Sequence, residues 1–190
     1  RSSDLLPTYY QDVFRVDLGT AALLTTTFIF PASLLRPLGG WVSDRWGART
    51  AMYATFVPIG ALFTVLCIPS GVDAQGDAYG LPLWLVVTLI FLIGCTMGIG
   101  KAGVYKHIPT YFPHHVGSVG GLVGMLGGLG GFFLPPMFAY IEKFTGLSST
   151  PFIVLTVLTG LTLIWMHLVI SRMKRENPDK DLVDIPDDAR

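Results

Sequence analysis

Five apolar stretches leave this chain few folds to choose from. They lie at about 19–42, 50–69, 81–111, 117–140 and 151–171. A helix needs about 20 residues to cross a ~30 Å hydrocarbon layer, and each stretch reaches that length. Unpaired backbone is so costly in lipid that such segments become helical. The expected fold is therefore all-α, a polytopic membrane helix bundle. Composition agrees: 51% of residues are hydrophobic, 14% are charged, and mean hydropathy is +0.56. The third stretch exceeds the minimum, so it tilts or projects beyond the bilayer. Pro109 is expected to bend or end it. Zero net charge offers no basic surface for nucleic acid. Cys67 and Cys95 fall in different apolar stretches and read as small hydrophobes, not as a disulfide framework.

Loop charges set the orientation. The 43–50 loop carries Arg45 and Arg49. The 111–117 loop carries two histidines, and the tail after 171 carries Arg172, Lys174 and Arg175. The 70–80 loop has two aspartates and no lysine or arginine. The positive-inside rule puts the first two loops and the C-terminus in the cytoplasm, with 70–80 and 1–17 outside. The expected location is the inner (plasma) membrane, crossed several times. Residues 1–17 open polar and without methionine, and they read as the cut end of an upstream helix plus an outer loop. Residues 172–190 read as a disordered cytoplasmic tail.

Residues 116–135 carry eight glycines within fifteen positions, from Gly117 to Gly131. Each interior glycine costs a helix about 1 kcal/mol relative to alanine in water. The pairs 117/121, 120/124, 124/128 and 127/131 have the spacing that lets another backbone or a small ligand come close. Such a helix forms one wall of a narrow pathway, or simply packs tightly.

The ionisable residues inside the apolar stretches are the chemical signal. Arg36 lies in the first, Lys101 and Lys106 in the third, and His167 in the last. No Asp or Glu lies deep in any of them; Asp44 and Glu142 fall at segment ends. A charge in hydrocarbon costs about 2.5–3.5 kcal/mol on insertion scales, so such residues face a cavity or a partner. With buried charges all positive, the natural partner is an anion. Arg36 offers a planar fork of donors suited to a planar oxyanion. It also lies within two turns of the cytoplasmic end, where arginines snorkel. Tyr105 stands four positions after Lys101, on the same helix face, so an ammonium and a hydroxyl can be presented together. Lys106 and Lys101 are candidates for a titratable coupling charge. His107 and His167 lie near interfaces, where packing is the plainer role. His114 and His115 have no ligand-type neighbours, and no metal site is expected. Neither a P-loop nor a nucleophile–base pair is present, so no ATP, cofactor or enzymatic activity is expected.

The loop GWVSDRWGART follows the pattern G-x-x-x-D-R-x-G-x-R, carried by Gly40, Asp44, Arg45, Gly47 and Arg49. It resembles the loop signature of the major facilitator superfamily of secondary transporters. In that superfamily each six-helix half has this loop between its second and third helices. The resemblance implies a C-terminal half: residues 1–17 would end helix seven, and 18–171 would hold helices eight to twelve. Asp44 and the arginines would form a reversible cytoplasmic latch against a neighbouring helix N-terminus, with Gly47 permitting the turn.

Three further segments narrow the resemblance. FPASLLRPLGG (30–40), MGIGKAGVYKHIPTYFP (97–113) and VGSVGGLVGMLGGLGGFFLP (116–135) are similar to the nitrate/nitrite porter family. In that family the arginine of the first segment contacts the anion, with a second arginine from the N-terminal half. The resemblance thus implies Arg36 as an anion ligand and a matching half outside this chain. Where many members have G-x-G-N, this chain has Gly98-Ile99-Gly100-Lys101. The K-x-x-x-Y-K-H-I-P version resembles the branch regarded as proton-coupled nitrate importers. The expectation is nitrate transport, with nitrite as a related substrate, by alternating access. Arg36, Lys101, Tyr105, Gly124, Gly127 and Gly128 would bind substrate, and Lys101 and Lys106 would couple protons. A porter for another small anion, such as a carboxylate or cyanate, is the alternative. So is a non-transporting sensor or assembly protein built on a transporter half.

Overall fold

The structure, a computed structural model, describes residues 5–73 and 76–176. Its helices are α1 (Leu5–Phe14), α2 (Leu18–Leu34), α3 (Arg36–Trp46), α4 (Ala48–Leu66), α5 (Leu83–Tyr111), α6 (Val116–Thr145) and α7 (Thr150–Glu176). Asp17 starts α2: its carboxylate accepts from the Thr20 amide at 3.0 Å and the Thr20 hydroxyl at 2.6 Å. These bonds occupy donors that a helix start leaves unpaired. They also hold the Asp17 carboxyl below the usual carboxylate range, the Thr20 hydroxyl contributing most.

The first apolar stretch, read above as one helix over 19–42, is two. α2 and α3 meet at a 43° bend around Leu35. The reason is proline chemistry: Pro31 lies inside α2, and Pro37 occupies the first turn of α3. Pro37 has no N–H for the carbonyl one turn back, so a continuous ladder cannot pass. The Leu35 amide still donates to Pro31 and the Gly39 amide to Leu35, both at 3.0 Å. α5 runs two residues past Pro109 before it ends at Tyr111.

Four helices, α4 to α7, contain spans long and apolar enough to cross a membrane, and the bent α2–α3 pair makes a fifth if it is one span. Several threonines inside these helices bond within their own helix. The hydroxyls of Thr25, Thr55, Thr88 and Thr156, among others, donate to carbonyls one turn back at 2.7–2.9 Å. That pattern suits a medium with no water to bond. The 70–80 loop holds a small antiparallel hairpin. β1 (Gly71–Val72) pairs with β2 (Ala78–Tyr79), Gly71 opposite Tyr79. Strands of two residues give the sequence no alternation to display.

α5 is the central helix, packed against α2, α3 and α4. Its N-terminal half joins a core of Tyr10, Ile59, Phe63, Val86, Ile90 and Phe152. α4 and α7 are tied further by a 3.1 Å hydrogen bond between the Tyr53 hydroxyl and His167 Nδ1. α6 and α7 keep most of their apolar surface exposed; among the described residues Phe138 is the buried side chain of α6. The tail expected to be disordered lies, beyond Glu176, outside the described residues.

A cationic cavity beside the helix break

Arg36 is the first residue of α3, immediately after the bend. α5 passes alongside and brings Lys101 and Tyr105 to it. These three side chains and Ala102 line one cavity of about 330 Å³. Among the described residues its lining holds two cations and a phenol, and no carboxylate. Two like charges facing one space repel, and an anion between them would turn that cost into attraction, strongly so once water is excluded. The arginine fork, the ammonium and the hydroxyl are all donors, which is the requirement for binding an oxyanion.

The structure thus brings Arg36, Lys101 and Tyr105 together, as their sequence positions suggested. The glycines behave differently. A Cβ on Gly124 would lie 3.8 Å from the Tyr105 hydroxyl, so α6 borders the site there. A Cβ on Gly127 or Gly128 would meet nothing within 4 Å, and neither residue lines the cavity. The side chains of Lys106 and His107 are outside the described residues. Sequence reasoning missed Ala102, whose only signal was its place beside Lys101; its small side chain leaves the cavity open.

The loop motif divides between surface and interior. Gly47 sits between α3 and α4 at φ 81°, ψ 148°, a conformation that side chains disfavour. Asp44 is exposed. Arg45 lies over the Trp41 ring at 5.6 Å, and Trp41 and Trp46 stand 6.4 Å apart. Arg49, in the first turn of α4, is buried at 7% exposure. The two arginines of the motif therefore do different work: one rests on an exposed aromatic, the other enters the bundle. The Trp41–Arg45 spacing of four residues was the sequence signal for that stack. Gly40 lies in α3 with open space beside it.

A bent, multi-span helix bundle with a cationic cavity between helices belongs among polytopic membrane proteins. Residues 5–184 match the Major Facilitator Superfamily, and the chain belongs to that family of membrane transporters. It is 54% identical over 179 residues to a Thermus thermophilus protein named "Probable nitrate/nitrite antiporter NarK1", covering 90% of this chain and 40% of that protein. It is 34% identical over 171 residues to "Probable nitrate transporter NarT" of Staphylococcus epidermidis, covering 86% and 40%. A Staphylococcus aureus protein of the same name is 32% identical over 167 residues, covering 85% and 39%. The chain spans about 40% of the length of these curated relatives.

Proposed function

We propose that this chain forms part of a nitrate transporter, and that the cavity of Arg36, Lys101 and Tyr105 is its share of the anion site. The carrying observation is two cations and a phenol around one space that, among the described residues, no carboxylate lines. The names of the relatives from Thermus and Staphylococcus support nitrate as the anion. Arg36 supplies paired hydrogen bonds in the plane of the anion, and Lys101 and Tyr105 supply potential and a third donor. A second six-helix half, outside this chain, supplies the opposite wall, and the halves rock about the site. The tail and the 43–50 loop face the cytoplasm, by the charge asymmetry of the loops. In the full-length protein Arg36→Lys keeps the charge and loses the fork. Nitrate uptake into liposomes at sub-saturating concentration then falls by about tenfold or more, the loss expected of about 1.4 kcal/mol or more of binding. Undiminished uptake would overturn the reading.

Coupling has two readings, each with its own support. Lys101 at the site, in a segment that resembles the proton-coupled branch and also carries Lys106, favours proton-coupled import. The Thermus relative's name favours nitrate/nitrite exchange. Proton coupling predicts nitrate accumulation driven by an imposed pH gradient without internal nitrite. Exchange predicts uptake only into nitrite- or nitrate-loaded vesicles.

A further inference from the structure

Lys101 follows two glycines, Gly98 and Gly100, separated by Ile99. Residues two apart on a helix point to nearly opposite sides, and here each glycine meets a different neighbour. A Cβ on Gly98 would lie 2.9 Å from the Ala32 carbonyl oxygen of α2. One turn earlier, a Cβ on Gly94 would lie 2.6 Å from the Phe28 carbonyl oxygen. The seam continues into α3, where a Cβ on Gly39 would lie 2.7 Å from Ile99 Cα. On the far side of α5, a Cβ on Gly100 would collide with the Thr55 methyl group of α4 and lie 3.1 Å from Thr55 Cβ.

None of these neighbours yields easily. Three are backbone atoms. The fourth, Thr55, is 5% exposed, and its hydroxyl donates to the Ala51 carbonyl at 2.8 Å, which fixes its rotamer. The α5 backbone just before Lys101 is therefore held between α2–α3 and α4 without slack. Gly39 lies one turn beyond Arg36. The same contacts that hold α5 thus fix how far the Lys101 backbone stands from the Arg36 backbone.

We infer that Gly39, Gly98 and Gly100, backed by Thr55, are positioning residues that set the Arg36–Lys101 spacing and so the size of anion the cavity accepts. The inference rests on the reading of Arg36 and Lys101 as anion ligands. Its test uses the full-length transporter in liposomes, measuring KM and maximal rate for nitrate and the inhibition by perchlorate, a larger oxyanion. Gly100→Ala pushes α5 off Thr55. It raises the nitrate KM about tenfold, changes the maximal rate per folded carrier less than about threefold, and, by moving α5 toward Arg36, weakens perchlorate inhibition. Adding Thr55→Ser removes the opposing methyl, keeps the hydroxyl, and returns the nitrate KM to within about threefold of native. Thr55→Ser alone loses one methyl and loosens the clamp, raising the nitrate KM about threefold. Gly160→Ala in α7, where a Cβ would meet nothing within 4 Å, changes none of these values. An unchanged KM and selectivity in both Gly100→Ala and Thr55→Ser would overturn the inference. So would a fall in maximal rate with no change in KM, or failure of the double variant to recover. If Arg36→Lys impairs uptake while these variants do not shift KM, the positioning role falls and the anion site stands. If Arg36→Lys has no effect, the anion site itself falls.

Discussion

Tyr105 contributes to the cavity through one oxygen. Tyr105→Phe keeps the ring and removes a hydroxyl whose hydrogen bond is worth about 0.5–1.5 kcal/mol, so nitrate affinity should fall about two- to tenfold. Isothermal titration or competition uptake on the full-length transporter would check this. Asp17 makes a separate prediction. Its carboxyl titrates lower in the folded protein than in the unfolded chain, because Thr20 bonds the charged form. The stabilisation is present at neutral pH and is lost as pH falls through the folded-state value, when the unfolded chain has already taken up its proton. Thermal midpoints in detergent should therefore drop with acidification, and Asp17→Asn should make that slope shallower. At this scale the sequence was informative where charge chemistry is local. Arg36, Lys101 and Tyr105 stood out as polar groups in apolar stretches, and they meet. The burial of Arg49 was not legible, because it opens α4 beyond the turn at Gly47, and that turn decides which way its side chain faces.

Helices formed where apolar length demanded them, and the departures trace to particular residues. The break at Leu35 had its cause in view, two prolines six positions apart, yet the apolar residues on both sides of Arg36 read as one stretch. The hairpin at 71–79 left no periodic trace. The Gly98-Ile99-Gly100 step looked like part of a motif; only the neighbours on either side of α5 give it a physical role. Gly47 is the element-scale test. Its dihedral angles suit glycine alone, so Gly47→Ala costs on the order of 1–3 kcal/mol and lowers the thermal midpoint. Gly40→Ala, inside α3 with open space beside it, should leave that midpoint unchanged or raise it, since alanine is the better helix former by up to ~1 kcal/mol.

Across the whole molecule, the glycine-rich α6 presents its smallest residues to open space. Gly117, Gly121, Gly127, Gly128, Gly130 and Gly131 would each accept a Cβ without touching anything in this chain. A surface so smooth fits the approach of a second backbone. Gly128→Leu should then leave accumulation of the full-length transporter unaltered and reduce nitrate uptake by about tenfold, read by quantitative immunoblot beside vesicle uptake. Uptake at the native level would mean that no close-packed partner slides over this face. How that partner sits could not be read from these residues, because its half of the contact is not among them.

The bend at Leu35 carries a geometric consequence. α3 is 11 residues long, roughly 16 Å at 1.5 Å per residue. Pivoting it by about 10° around Leu35 would carry Trp46 some ~3 Å while translating the Arg36 backbone by only a few tenths of an ångström. A fulcrum that close to Arg36 would make the loop-motif end of α3 its long arm and leave the backbone beside the cavity nearly still.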